Sequence, residues 1–134
     1  MSIENILDYK TIAVVGISDD PTRPSNFVAR FLKEHGYKII PINPKLSEWE
    51  GEKCYPDLLS IPVKVDIVDI FRRSEAIPPI VDEAISIKAK AVWMQEGIIN
   101  EEAAAKAQKA GIEVVMDKCI KKEYVKFKEA SNCL

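Results

Sequence analysis

The sequence is poor in the side chains that bind zinc. It has three cysteines and one histidine, His35, and the cysteines form no C-x-x-C pair. A zinc site is therefore not expected. An odd number of cysteines is typical of a reducing compartment, and we interpret the thiols of Cys54, Cys119 and Cys133 as buried or inert. Cys119 differs in its electropositive setting, which is formed by Lys118, Lys121 and Lys122.

Long apolar stretches and an excess of charge of one sign are also absent. No apolar run approaches the roughly 18 residues of a membrane span, and the first residues lack the basic and apolar regions of a secretory signal. Nineteen basic and twenty-one acidic side chains give a net charge of −2, which provides no global field for a polyanion. These absences predict a cytoplasmic protein that binds neither membranes nor nucleic acid.

Short apolar segments without polar alternation are the dominant pattern in the chain, and they are typical of strands buried on both faces of a parallel sheet. We expect strands at residues 11–16, 38–42, 65–71, 89–94 and 112–116. Helical stretches between most of them indicate βαβ units. The sequence thus predicts one α/β domain over 1–134, a Rossmann-like, doubly wound parallel sheet of about five strands in three α/β/α layers. Residues 118–134 form a C-terminal tail whose helical apolar spacing favours packing on the sheet.

Prolines and capping residues mark where strands and helices begin and end. Pro41 within the second apolar segment predicts a strand near a sheet edge, and residues 44–56 are predicted as a loop. Ser74 is predicted to cap a helix whose first turn holds Pro78-Pro79. Asn100 is predicted to cap the next helix.

Cations follow several of the predicted strands, at the edge where a parallel sheet binds its ligands. Lys45, Arg72, Arg73 and Lys118 lie just after a strand, although the chain is acidic overall. This placement favours a small anion, and phosphate is the usual one.

The loops after the first two predicted strands restrict the choice of ligand further. The first contains a single glycine, Gly16, and therefore lacks the G-x-G-x-x-G fingerprint of common dinucleotide enzymes. A glycine before a helix N-terminus still lets a phosphate approach the backbone. The second loop has Asn43-Pro44-Lys45 where NAD-binding domains usually carry an acidic residue for the ribose hydroxyls. Lysine suits a ribose phosphate, which NADP and coenzyme A both carry, and the residues alone leave this choice open.

Six motifs follow one another in unbroken order between about residues 10 and 120. They are VVGIS at 14–18, RPS at 23–25, INPK at 42–45, GEKCYP at 51–56, VDIFRR at 68–73 and VWMQEG at 92–97. Together they closely resemble the single-domain coenzyme A-binding protein family, which is similar to the N-terminal coenzyme A-binding domain of the succinyl-CoA synthetase alpha subunit. The resemblance implies a Rossmann-like fold that holds coenzyme A, or an acyl-CoA, along its strand ends.

The resemblance also implies which residues would contact the ligand. The phosphates would be lined by Gly16, Ile17, Ser18, Arg23 and Ser25, the adenosine end by Asn43, Pro44 and Lys45, and two further walls by Phe71, Arg72, Gln95 and Glu96. Of the adjacent arginines, Arg72 is expected at the ligand, because neighbouring residues of a strand point to opposite faces. A mixed disulfide with the coenzyme A thiol would require Cys54 or Cys119 to lie near the pantetheine end.

We do not expect this protein to catalyse the ligase reaction of the synthetase. That enzyme uses a second domain with a phosphorylated histidine and a beta subunit, whereas His35 is expected at the surface near a helix C-terminus. We expect a coenzyme A-binding protein without evident catalysis. Two alternatives stay open: an NADP-dependent or acyl-transfer enzyme on the same scaffold, and a subunit that needs a protein partner.

Two acidic residues and two aromatic residues near the strands also have structural interpretations. Asp66 and Asp69 are interpreted as hydrogen-bonded supports or solvated groups rather than as an acid pair. Trp93 is interpreted as a core residue, whereas Phe71 stays open between the core and the ligand site.

Overall fold

The computed structural model describes residues 3–129, so Cys133 and the last part of the predicted tail lie outside the described residues. The strands are β1 Thr11–Val15, β2 Lys38–Ile42, β3 Glu48–Trp49, β4 Glu52–Lys53, β5 Ile67–Ile70, β6 Ala91–Met94 and β7 Glu113–Val115. The α-helices are α1 Ile3–Ile6, α2 Pro24–Glu34, α3 Ile77–Ser86, α4 Glu101–Lys109 and α5 Ile120–Tyr124. Short 3₁₀ turns occupy Leu58–Ser60 and Ser74–Ala76, and a π-helical turn follows α5 at Val125–Glu129.

The main sheet has five strands in the order β2-β1-β5-β6-β7, and all its neighbouring strands are parallel. The chain therefore winds outward from β1 in both directions, as in a doubly wound sheet. Helices α3 and α4 pack on one face, and α1, α2 and α5 pack on the other. The predicted three-layered, Rossmann-like α/β fold is confirmed.

Strand β2 is an edge strand, as Pro41 predicts. The Pro41 carbonyl points to the outer rim of the sheet and accepts a hydrogen bond from the Tyr55 amide at 3.0 Å. The loop prediction for residues 44–56 is wrong in part, because β3 and β4 form a small antiparallel hairpin there. Trp49, 3% exposed, anchors this hairpin in the core. Strands of two residues are too short to show any alternation in sequence.

The prediction that Ser74 caps a helix is wrong. Ser74 opens a 3₁₀ turn, and α3 begins three residues later at Ile77, with Pro78-Pro79 in its first turn as predicted. No side chain caps that turn or that helix. The Ser74 carbonyl instead accepts a hydrogen bond from the Asn100 side chain at 2.9 Å, because the loops after β5 and β6 lie side by side.

Asn100 caps α4 as predicted: its Oδ1 accepts from the Ala103 amide at 3.0 Å. Asn100→Ala is expected to lower the free energy of unfolding by about 1–2 kcal/mol, because it removes this bond and the bond to Ser74. Urea denaturation measures the change. Asn100→Asp keeps the accepting oxygen of the cap but not the donor to Ser74, and should recover only part of the loss. Equal stability of the alanine variant and the unmodified protein would contradict a capping role.

The segment after β7 returns across the α2 face of the sheet. Ile120 is fully buried, and the Tyr124 ring lies edge-on to Phe31 and Tyr37, with ring centroids 5.6 and 5.9 Å apart. This return brings Cys119 and Lys122 to the carboxyl ends of the strands. Among residues 3–129, no helix is long and apolar enough to cross a bilayer.

Candidate functional site

The larger of two neighbouring clefts lies at the carboxyl ends of β1, β5 and β6 and has a volume of about 990 Å³. Such a volume is within the range of pockets that hold small organic ligands. The cleft brings together eight of the residues expected at a coenzyme A site: Gly16, Ser18, Arg23, Ser25, Phe71, Arg72, Gln95 and Glu96. The residues implied for the phosphates and for the two further walls therefore share one cavity, with the exception of Ile17.

The smaller cleft, of about 520 Å³, lies beside the end of β2. It contains Asn43, Pro44 and Lys45, the residues implied for the adenosine end. Gly16 and Arg72 line both clefts, so the two cavities meet at these residues. A ligand longer than either cleft would have to cross this point.

Ile17 lies in neither cleft. Its side chain is fully buried in the core, and its carbonyl accepts a hydrogen bond from Asn43 Nδ2 at 2.7 Å. Asn43 Oδ1 in turn accepts from the Lys45 amide at 2.8 Å. Ile17 therefore acts through its backbone, by joining the loop after β1 to the loop after β2.

Gly16 is required by the geometry where the two clefts meet. Its φ is +86°, and a Cβ at this position would lie 2.6 Å from the Phe71 carbonyl oxygen and 2.8 Å from Arg72 Cδ. Glycine adopts this conformation without steric cost, and its lack of a side chain allows the chain after β5 to approach. The single glycine of the first loop thus sets the distance between two walls of the site.

Hydrogen bonds within the loop hold the segment from Gly16 to α2. Asp20 Oδ1 accepts from the Thr22 amide at 2.9 Å and from its hydroxyl at 2.8 Å, and these bonds lower the pKa of Asp20. Asn26 Nδ2 donates to the Ser18 carbonyl at 2.8 Å. Helix α2 then begins at Pro24 without a side-chain cap. Its first turn is therefore open to an anion at the positive end of the helix dipole.

Four cations line the larger cleft: Arg23, Arg72, Arg73 and Lys122. Lys122 is paired with Glu96 at 2.9 Å, and the hydrogen bond between them raises the pKa of the lysine. Within residues 3–129, the three arginines form no salt bridge. Their positive charge is therefore available for an anion.

Three sequence expectations about the strand-end charges need correction or addition. Arg73 lines the larger cleft together with Arg72, because β5 ends at Ile70 and the alternation of a strand no longer applies to them. Lys118 lines neither cleft. Lys122 was not expected at the site, because only the return of the C-terminal segment brings it there.

The two described cysteines occupy different settings. Cys54 is buried, its Sγ lies 3.5 Å from the Asn43 carbonyl oxygen, and burial raises its pKa despite that hydrogen bond. This fits the expectation of an inert thiol. Cys119 is only partly buried and lines the larger cleft beside Lys122. Only Cys119 of these two therefore faces a cavity that could hold the end of a ligand.

Asp69 and Gln95 form a buried pair beneath the larger cleft. Gln95 Nε2 donates to Asp69 Oδ1 at 2.6 Å, and the two residues are 4% and 0% exposed. Within residues 3–129, Asp69 Oδ2 has no hydrogen-bond partner. Burial raises the pKa of Asp69 to about 8, and the hydrogen bond from Gln95 opposes this only in part. Asp69 thus supports Gln95 through a hydrogen bond, as expected, but the burial of this carboxyl group destabilises the folded state.

Asp66, Trp93 and His35 have the structural roles that the sequence predicts. Asp66 Oδ2 accepts from the amides of Lys10 and Thr11, each at 3.1 Å. Burial alone would raise the pKa of Asp66, but these bonds and Lys90 outweigh it and lower that pKa. Trp93 is fully buried. His35 lies at the end of α2, with Nδ1 2.7 Å from the Phe31 carbonyl oxygen.

Among residues 3–129, no three His, Cys, Asp or Glu side chains converge in a way that could hold a metal ion. The clefts instead contain backbone that a glycine leaves accessible, arginines without a salt bridge, and apolar side chains. These groups can bind an extended molecule that carries phosphates and a less polar arm.

Comparison with known proteins gives a consistent family assignment. A family model described as "CoA binding domain" matches residues 10–125. The uncharacterized protein YneT of Bacillus subtilis is 44% identical over 112 residues, which are 84% of this chain and 83% of that protein. A solved structure of a hypothetical protein from Pyrococcus horikoshii has a TM-score of 0.90 and 40% identity, and the match covers 95% of this chain and 92% of that one.

An enzyme is also among the relatives. The ADP-forming acetate–CoA ligase I of Archaeoglobus fulgidus is 26% identical over 128 residues. The match covers 88% of this chain but only 19% of the ligase. The similarity therefore concerns one part of a much longer enzyme.

Proposed function

Because the chain belongs to the family of CoA-binding domains, we propose that it binds coenzyme A or an acyl-CoA along the carboxyl ends of its strands. In this proposal the adenosine end lies in the smaller cleft, near Lys45. The phosphates lie where the clefts meet, near Gly16, Arg23 and Arg72. The pantetheine arm extends into the larger cleft, between Phe71 and Gln95.

The meeting of the two clefts at Gly16 and Arg72 is the observation that carries this proposal. Coenzyme A is an extended molecule that carries a ribose phosphate at its adenosine end, a pyrophosphate in the middle and an uncharged pantetheine arm. Arg72 lines both clefts and places positive charge where they meet, and Arg23, Arg73 and apolar side chains such as Phe27 and Ile98 line the larger cleft. The positive charge of Arg72 at the junction suits the pyrophosphate of the ligand.

The ligase activity in the name of the longer relative is not part of the proposal. The chain spans about a fifth of that enzyme. We propose a binding role in the cytoplasm, without turnover by this chain alone. A role as a subunit, with a protein partner that supplies the chemistry, would be supported by co-purification of such a partner.

Lys45→Ala is expected to weaken coenzyme A binding by about tenfold, because the lysine would lose a charge-assisted contact to the ribose phosphate. Dephospho-CoA lacks that phosphate, so its affinity should be nearly the same for the variant and the unmodified protein. Titration calorimetry with both ligands measures the difference. Lys38→Ala is the matched control, because Lys38 is an exposed lysine at the start of β2, whereas Lys45 follows the end of that strand.

Two results would contradict the assigned site. Lys45→Ala and Arg72→Ala could both bind coenzyme A with the affinity of the unmodified protein. Alternatively, the unmodified protein could prefer NADPH to coenzyme A, which would favour an NADP-dependent function on this scaffold.

A further inference from the structure

Asp69 is a carboxyl group in the interior of the sheet. It lies on β5 between Val14 of β1 and Trp93 of β6, both fully buried. Its Oδ2 has no partner, and an unpaired buried polar group is destabilising. An apolar side chain of similar size would fit these neighbours better. The fold alone therefore gives no reason for an acid at this position.

The hydrogen bond to Gln95 is the one contact that sets Asp69 apart from its neighbours. Gln95 follows β6 directly and lines the larger cleft, and its Nε2 donates to Asp69 Oδ1 at 2.6 Å. Within residues 3–129, no protein group donates to the other amide atom, Oε1, and this oxygen is not among the buried unpaired atoms. Asp69 thus engages the amide nitrogen and leaves the carbonyl oxygen as an acceptor at the wall of the cleft.

Because the Gln95 carbonyl oxygen accepts hydrogen bonds, it can bind only those parts of coenzyme A that donate them. Phosphate groups accept hydrogen bonds and would be repelled by a carbonyl oxygen, whereas the amide groups of the pantetheine arm donate through N–H. The strand order supports the same choice, because β6 lies two strands from β1, on the side away from β2 and Lys45. The pantetheine arm is the donor-bearing part of the ligand expected at this distance from the adenosine end.

We propose that Asp69 is a positioning residue, which fixes the Gln95 amide so that its carbonyl oxygen accepts a hydrogen bond from an amide N–H of the pantetheine arm. The inference rests on the proposed function, because it concerns the same site. Gln95 contacts the ligand, whereas Asp69 acts through Gln95.

Asp69→Leu tests the inference, because leucine has the same branching and number of heavy atoms as aspartate and cannot hold the amide. Titration calorimetry is expected to show about tenfold weaker binding of coenzyme A, as for the loss of one well-oriented hydrogen bond. Binding of adenosine bisphosphate, the fragment of coenzyme A without the pantetheine arm, should stay within about twofold. Asp69→Asn keeps an accepting oxygen and should retain affinity for coenzyme A within about threefold.

Gln95→Met gives an independent test if Asp69→Leu does not fold. It removes the acceptor itself and should cause the same loss for coenzyme A alone, and the double variant should lose no more than either single variant. Unchanged coenzyme A affinity in Gln95→Met, or in a folded Asp69→Leu, would overturn the inference. An equal loss for both ligands would also overturn it, because it indicates a general structural effect. If the unmodified protein bound no coenzyme A, the proposed function would fail as well.

Discussion

The free energy of unfolding is expected to fall by roughly 5 kcal/mol as the pH rises from about 4 to about 8, because the folded state keeps Asp69 protonated. Well below pH 4, an aspartate is protonated in both the unfolded and the folded state. As the pH rises, the unfolded chain releases this proton, whereas burial holds the pKa of Asp69 in the folded chain at about 8. The folded state then binds more protons, so stability declines until Asp69 ionises in both states. Urea denaturation at a series of pH values measures this slope.

Asp69→Asn should remove the decline, because the amide does not titrate. Asp66→Asn is the matched control, since Asp66 precedes the same strand by one residue but has a lowered pKa. Asp66 stabilises the folded state above about pH 4 and loses this effect only as the pH falls below that value, so its replacement should leave the slope between pH 4 and pH 8 unchanged. A slope in Asp69→Asn equal to that of the unmodified protein would assign the decline to other groups.

Gly16→Ala is expected to lower the free energy of unfolding by about 3 kcal/mol, through backbone strain and a steric clash. The φ of +86° is unfavourable for alanine. The new methyl group would also lie 2.6 Å from the Phe71 carbonyl oxygen, which is backbone and cannot rotate away. Arg72 Cδ, at 2.8 Å, belongs to a flexible side chain and can move more easily. Thermal and urea denaturation measure the loss.

Gly111→Ala separates the strain from the clash. Gly111 has nearly the same φ, +85°, but no atom lies within 4 Å of a Cβ built on it. Its replacement should therefore cost only about 1 kcal/mol, from the backbone term. Similar losses in the two variants would show that the approach of Phe71 to Gly16 is less restrictive than the distances indicate. Any folded Gly16→Ala protein should also bind coenzyme A more weakly, because the clash displaces Arg72 at the meeting of the clefts.

Patterns that span several neighbouring residues predict this fold well. The continuous apolar segment at 11–16 contains β1, and the segment at 38–42 has the bounds of β2. Asn100 shows its capping role through the acidic residues that follow it. The errors occur where a signal is short or ambiguous. Ser74 resembles a cap in sequence, but the 3₁₀ turn it opens displaces the start of α3 to Ile77.

The clefts are predicted less completely, because some of their residues are brought together only by the tertiary structure. Gly16 and Lys45 follow strands, and parallel strands bring such residues to one edge of the sheet. Cys119 and Lys122 reach the larger cleft only because the segment after β7 turns back across α2. The pairing of Asp69 with Gln95 joins residues 26 positions apart, one on β5 and the other directly after β6. The unpaired Oδ2 of Asp69 is a property of packing, which no sequence pattern displays.

The edge position of Pro41 also bears on how copies of the protein behave at high concentration. Exposed strand edges are templates for intermolecular β-structure and aggregation. The Pro41 carbonyl faces the outer rim, and a residue of a strand directs its N–H to the same side as its carbonyl. Proline has no N–H, so position 41 offers no donor at this rim. The Pro41 carbonyl already accepts a hydrogen bond from Tyr55. At the opposite rim, β7 offers only three residues. A strand from another molecule would therefore find no long ladder on either side of the sheet, and this protection does not depend on surface charge or salt.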